Sequence, residues 1–260
     1  MTDDAFASGP TGPSGHGGRY ATALAEGRMA FGVFCALDGL AVSHLFASVG
    51  YDFVVLDLQH AAFTWPDVEN ACFRIRSTGA AVFLRTASTE PAEVNLALDL
   101  PVDGVILPNV TSFDQAVAAV AQTKFPPLGE RSLGNERHDT IWQAYSAPDP
   151  LVGLLVEHRG AVEGIEQILG RVPVDFVWIG LHDLAASYGI DPHSAVTGGV
   201  TADVLAAAIA RTRDAARANG VRYWAAEPGA DASIAGVDAR IVRQAAIDAL
   251  ERVRGRFGGS

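Results

Sequence analysis

The run YDFVVLDLQH, residues 51–60, is apolar until its end, where Asp57, Gln59 and His60 stand close together. Similar endings recur: VFLRT carries Arg85, LLVEH carries Glu157 and His158, and VWIGLHD carries His182 and Asp183. Short apolar runs bounded by turn signals read as buried strands. A core strand has little use for ionisable side chains unless its end opens on a pocket. One imidazole, one guanidinium and two carboxylates at such ends could move a proton and stabilise an oxyanion. Glu157 and Asp183, at neighbouring strand ends, would repel and raise a carboxyl pKa unless a cation lay between them. Oxygen donors without cysteine select a hard divalent ion such as Mg²⁺ or Mn²⁺. Each residue also has a plain structural reading: Arg85 as an ion-pair partner, Glu157 or Asp183 as a helix cap, His60 as a satisfied core histidine. Their convergence is what favours chemistry.

Positioning such ends takes a repeating scaffold. Apolar runs at 31–36, 52–58, 81–86, 103–110, 151–158 and 174–183 alternate with helical patterns, and VRYWAAE and a weak ASIAGVD complete eight candidate strands. Between them, Gly50, Gly79 and Gly220 mark helix ends, Pro66 a helix start and Ser112 an N-cap. The runs are continuously apolar, as expected of parallel strands covered on both faces. Eight β/α units predict an α/β fold, a single-domain (β/α)8 TIM barrel with its active site at the C-terminal strand ends. An open doubly wound sheet is the alternative, but no Gly-x-Gly-x-x-Gly follows the first strand and no P-loop motif appears. No internal repeat is evident by eye. The expected barrel covers residues 20–256, between a flexible Gly/Pro/Ser-rich tail at 1–19 and a flexible end at 257–260. The excursion at 124–150 breaks the rhythm; it holds Arg131, Glu136, Arg137, His138 and Asp139 and is expected to contribute specificity.

Composition narrows the function classes. The chain is 49% hydrophobic, enough for a substantial core. A formal net charge of -11 without Lys/Arg clusters argues against nucleic acid as a partner. Cys35 and Cys72 lie in apolar runs and read as buried small hydrophobes, not as a disulfide or zinc site. The N-terminal stretch lacks a basic region followed by an apolar one, so it does not read as a secretory signal. No run of 18 apolar residues suggests a membrane span, and a cytoplasmic location is expected. No lysine falls at a strand end (Lys124 closes a helix), which disfavours a Schiff-base mechanism.

DLQHAAF, VFLRTAS, DGVILPNV, FPPLGERSLG, LLVEHRGAVEGIEQI and VWIGLHDLAASYG together resemble, in order and spacing, the class II pyruvate aldolases of the HpcH/HpaI aldolase/citrate lyase family. The resemblance runs from about residue 20 to 255 and implies the phosphoenolpyruvate/pyruvate type of barrel. It implies a divalent metal cofactor (Mg²⁺, Mn²⁺ or Co²⁺) held by Glu157 and Asp183. Arg85 would stabilise an enolate oxygen, and His60 would act as base with Asp99 as its partner. Asp57 would support that pair, and Gln59 would orient a water where the family's type member has a Glu. Gly180, Leu181 and His182 would line the substrate carboxylate, although GLHD departs from the family's Gly-Pro-Ala-Asp. The bulky His158 and His182, with His138 of the excursion, put the choice of substrate in question. The implied reaction is cleavage or formation of a 4-hydroxy-2-oxo acid, giving pyruvate and an aldehyde through an enolate. The implied partners are a small 2-oxo acid and further copies of the chain, as a trimer or hexamer. Two other readings stay open: a decarboxylase or condensing enzyme acting on oxaloacetate, and a non-catalytic barrel subunit.

Overall fold

The computed structural model describes residues 17–37, 39–132, 150–193 and 203–257. Eight parallel strands close in chain order into a barrel: β1 (Ala30–Cys35), β2 (Phe53–Asp57), β3 (Ala81–Arg85), β4 (Gly104–Leu107), β5 (Leu151–Val156), β6 (Phe176–Ile179), β7 (Arg222–Trp224) and β8 (Ala232–Val237). The single-domain (β/α)8 expectation holds in its essentials. The helices are α1 (Gly18–Ala25), α2 (Leu40–Ser48), α3 (Trp65–Arg76), α4 (Pro91–Leu98), α5 (Phe113–Ala121), α6 (Arg159–Glu163), α7 (Ile165–Arg171), α8 (Leu181–Ser187), α9 (Asp203–Ala218) and α10 (Asp238–Phe257). The Ser112 hydroxyl accepts from the Gln115 N–H, as an N-cap should. Gly50, Gly79 and Gly220 all adopt the positive φ that ends a helix without steric cost.

Four departures from the sequence reading have physical causes. The run at 174–183 is not one strand: β6 stops at Ile179, Gly180 is a helix N-cap, and residues 181–183 form the first turn of α8. Asp183 is therefore not the cap but the third helical residue. Between β5 and β6, where the alternation of strands and helices calls for a single helix over 160–170, the chain divides at Gly164 into α6 and α7. Residues 17–19 belong to the folded body, because α1 begins at Gly18 and Arg19 donates to the carbonyls of Ala47, Tyr51 and Thr78. Finally, no helix joins β7 to β8; residues 225–231 make the crossover as turns, so the ring of helices has a gap there.

Strand alternation sorts the apolar residues into two cores. Side chains facing outward, such as Val54, Leu56, Val82 and Leu84, pack under the helices. Those facing inward, including Phe53, Val55, Phe83, Ile106, Leu155, Phe176 and Trp224, fill the barrel. In the lowest interior layer, each large ring lies opposite a small residue on the adjoining strand: Phe53 with Gly32, Phe83 with Gly104, Phe176 with Gly153, Trp224 with Ala232. A Cβ at Gly32 or Gly153 would come within 2.2 Å of the opposing ring, so glycine is required for the layer to close. Tyr20 of α1 plugs this end, edge-on to Phe53, Phe83 and Trp224, and its hydroxyl accepts from Trp224 Nε1. Cys35 and Cys72 are buried free thiols.

The same end carries a repeated clasp. Asp52, Asp103, Asp175 and Asp231 each precede an even-numbered strand. Their carboxylates accept from the N–H of Phe31, Val82, Val152 and Tyr223 respectively, each the second residue of the preceding odd strand. The four backbone N–H groups of these aspartates donate in turn to the carbonyls of Phe31, Val82, Val152 and Tyr223. The barrel thus has a fourfold internal repeat of two strands, hidden from the sequence by its single-residue signature.

Candidate active site

The opposite, C-terminal end of the barrel gathers the ionisable strand ends. β2 and β3 pair with Asp57 directly beside Arg85, each the last residue of its strand. Alternation from Phe53 and Val55 turns Asp57 inward. The two side chains meet as a buried bidentate pair: Arg85 Nε donates to Asp57 Oδ1 and Nη2 to Oδ2, both at 2.8 Å. The guanidinium lies 4.8 Å over the Phe34 ring of β1, a cation–π contact that fixes its plane. Nε and Nη2 are thereby committed to Asp57. Nη1 has no acceptor among the described residues and is the nitrogen left to donate to a ligand.

Glu157 follows β5 and is buried. Its Oε1 accepts from the Asn109 main-chain N–H at 2.6 Å. Gly180, at the end of β6, leaves room for it: a Cβ there would stand 2.7 Å from Glu157 Cβ and 3.3 Å from Oε2. Burial pushes the Glu157 carboxyl above its ordinary pKa, and the nearby charge of Asp183 adds to this; the Asn109 N–H, Arg85 and His60 pull the other way. Glu157, Asp183, Arg85 and His60 thus share one electrostatic neighbourhood. Among the described residues no cluster of three or more His, Cys, Asp or Glu could cage a metal. Two carboxylates are nonetheless the donor set that suits Mg²⁺ or Mn²⁺, which keep several positions for water and substrate oxygens. Gln59 adds a second sign of fit: its Oε1 is buried with no hydrogen-bond partner among the described residues, an acceptor waiting for a donor such as water. The Gln59 N–H donates to Asp57 Oδ1, tying the turn after β2 to the ion pair.

Other sequence candidates land differently. Asp99 caps α4 and accepts from Arg131 Nη2 at 3.3 Å; among the described residues no hydrogen bond joins it to the exposed His60. Asp57 serves Arg85 and not a His60–Asp99 pair. Leu181 packs its side chain against the outer core, so only its backbone can face a substrate, while His182 is exposed on the first turn of α8. His158 caps α6, its Nδ1 accepting from the Gly160 N–H. His138 lies outside the described residues. The apolar run at 103–110 contains Asn109 near its end but gave it no role, and nothing in the sequence singled out Phe34. A Pro-Asn pair closing a strand is a weak signal for a left-handed turn, whereas nothing marks Phe34 among the apolar residues of β1.

A sequence model described as HpcH/HpaI aldolase/citrate lyase matches residues 30–237. A hydroxypyruvate/pyruvate aldolase from Rhizorhabdus wittichii is 32% identical over 201 residues, 76% of this chain and 78% of that protein. A 4-hydroxy-2-oxo-heptane-1,7-dioate aldolase from Shigella flexneri is 28% identical over 260 residues, 93% of each chain. The crystal structure of a HpcH/HpaI aldolase/citrate lyase family protein from Burkholderia cenocepacia superposes with a TM-score of 0.76 at 25% identity, over 87% of this chain and 95% of that one.

Proposed function

The chain belongs to the HpcH/HpaI aldolase/citrate lyase family, and on that premise we propose that it is a metal-dependent carbon–carbon lyase. Its reaction is the reversible cleavage of a 4-hydroxy-2-oxo acid to pyruvate and an aldehyde. The observation that carries this reading is the meeting, at one barrel mouth, of the Asp57–Arg85 pair with the Glu157–Asp183 carboxylates. The family's dependence on a divalent metal supports assigning Glu157 and Asp183 as its ligands. When bound, the ion supplies Lewis-acid polarisation to the 2-oxo acid.

The chain's own residues do the rest. Arg85, locked by Asp57 and Phe34, presents Nη1 to the oxygen that gains charge as the C3–C4 bond breaks; its position costs no reorganisation at that moment. His60 takes the proton from the C4 hydroxyl as the C3–C4 bond breaks, and its exposure leaves it free to exchange that proton with solvent, from which C3 is protonated to give pyruvate. Gln59 Oε1 accepts from a water beside the carboxylates but cannot take its proton. The turn from Gly180 to Asp183 lines the substrate carboxylate through its backbone, with exposed His182 at the rim. Asp99 acts on His60 only if the Arg131 contact is exchanged, which makes it a supporting residue. We also infer a homo-oligomer, supported by α10: past Ile241 its apolar Val242, Leu250, Val253 and Phe257 are all exposed. Among the described residues no helix is long and apolar enough to cross a membrane.

The test is pyruvate release from a panel of 4-hydroxy-2-oxo acids and oxaloacetate by chelator-treated protein, before and after Mg²⁺, Mn²⁺ or Co²⁺. Metal-restored pyruvate from a hydroxy-oxo acid is expected, with kcat falling about 10²- to 10³-fold in Arg85→Ala. Pyruvate from oxaloacetate alone would replace this reading with a decarboxylase. No product from any substrate would refute both.

A further inference from the structure

Among the described residues, Asn109 is the one non-glycine residue with a left-handed backbone, φ 58°. Such a conformation is unfavourable for a side chain, and a fold retains it where something depends on it. The dependence is visible here. Asn109 is exposed between buried Pro108 and Val110, so the left-handed turn does not serve to bury its side chain. What the turn does is let the peptide joining Pro108 to Asn109 keep its N–H on Glu157 Oε1, 2.6 Å away, while the chain reverses directly after it to bury Val110. Gly180 bounds the other side of the same carboxylate, where a Cβ would approach Oε2 to 3.3 Å.

We propose that Asn109 is a positioning residue for the divalent ion, acting through its main-chain N–H. By occupying Oε1, the amide fixes the Glu157 rotamer and leaves Oε2 for the ion. The inference rests on the metal reading of Glu157 given above. It assigns the work to the backbone, so the carboxamide is dispensable and the left-handed conformation is not.

The experiment is calorimetric titration of chelator-stripped full-length protein with Mn²⁺, comparing wild type, Glu157→Gln, Asn109→Gly, Asn109→Ala and Asn109→Val. Glycine adopts the left-handed region freely, alanine less so, and a β-branched residue resists it most. The expected result is Mn²⁺ binding lost in E157Q, retained within about twofold in N109G, weakened in N109A and weakened tenfold or more in N109V, the range found for partners that orient metal ligands. Unfolding of each variant in chelator separates loss of fold from loss of the ligand's position. If N109V does not fold, the N109A and N109G affinities decide by the same order. Equal affinities across the Asn109 series, with E157Q still defective, would overturn this inference alone. An N109G protein as weak as N109V would overturn it in favour of the carboxamide. Absence of Mn²⁺ binding in wild type would overturn the metal reading and this inference together.

Discussion

Arg85 and Asp57 show why a charge can end a core strand. Both are buried, and their register as direct neighbours on β2 and β3 lets two parallel hydrogen bonds form without any loop to hold them. Removing one partner leaves an uncompensated charge in the barrel. Asp57→Asn is therefore expected to cost about 3–5 kcal/mol of stability, read as a lowered urea midpoint. Adding Arg85→Met to that variant should recover most of the loss while leaving the protein inactive. A midpoint unchanged in Asp57→Asn would mean that solvent reaches the guanidinium. At this scale the sequence was legible wherever an ionisable residue interrupted an apolar run, which located Asp57, Arg85 and Glu157. It was silent on pairings. Nothing in the chain says that Asp57 meets Arg85 or that Asp99 meets Arg131, because both are set by strand register and loop path. The Asn109 amide was beyond reach for a simpler reason: every residue but proline has an N–H, and only its direction matters.

The elements were legible through their periodicity, and their limits were not. Apolar runs outlast the hydrogen-bonded ladder at strand ends; β4 stops at Leu107 because Pro108 has no N–H to give. The clasps show what holds the odd and even strands together. Asp52 is the clearest case: burial alone would push its carboxyl up, but Arg28 and the Phe31 N–H outweigh it and hold the carboxyl below its usual value. A folded pKa below the unfolded value of about 3.9 means the stabilisation is complete at neutral pH and disappears as pH falls from about 4 through the folded value. Asp52→Asn should thus be less stable than wild type at pH 7, with the difference shrinking toward pH 3 in paired urea titrations. A difference of constant size would show that the carboxylate's charge is not what the clasp uses. The fourth clasp, Asp231 on Tyr223, spans the strand pair that no helix joins. There the barrel closes on hydrogen bonds and on Trp224, stacked 4.0 Å from Phe176.

At the scale of the molecule, one region is unfinished. Beside the gap in the helical ring, Ala235 of β8 faces outward exposed, and Phe31 on adjacent β1 is 48% exposed. Only the first turn of α10 is seated, with Ile241 over Gly236 where a Cβ would clash at 2.7 Å. The helical pattern over 240–255 is readable in the residues, but not that most of the helix projects from its own barrel. Substituting Val242, Leu250 and Val253 together by glutamate is expected to lower the mass measured by light scattering to that of one chain. A wild-type mass of one chain would refute the proposed homo-oligomer, and a larger mass left unchanged would place its contact elsewhere.

A monomer's melting temperature is a property of its sequence and solvent. For a chain that associates through its bare barrel wall and helix, as proposed, it becomes a property of dilution as well, because each association removes folded protein from the unfolding equilibrium. Heating this protein at a hundredfold range of concentrations should move its midpoint upward with concentration, and the α10 variant should melt at one temperature throughout. The missing helix between β7 and β8 would then set the least amount of protein at which the barrel mouth stays intact.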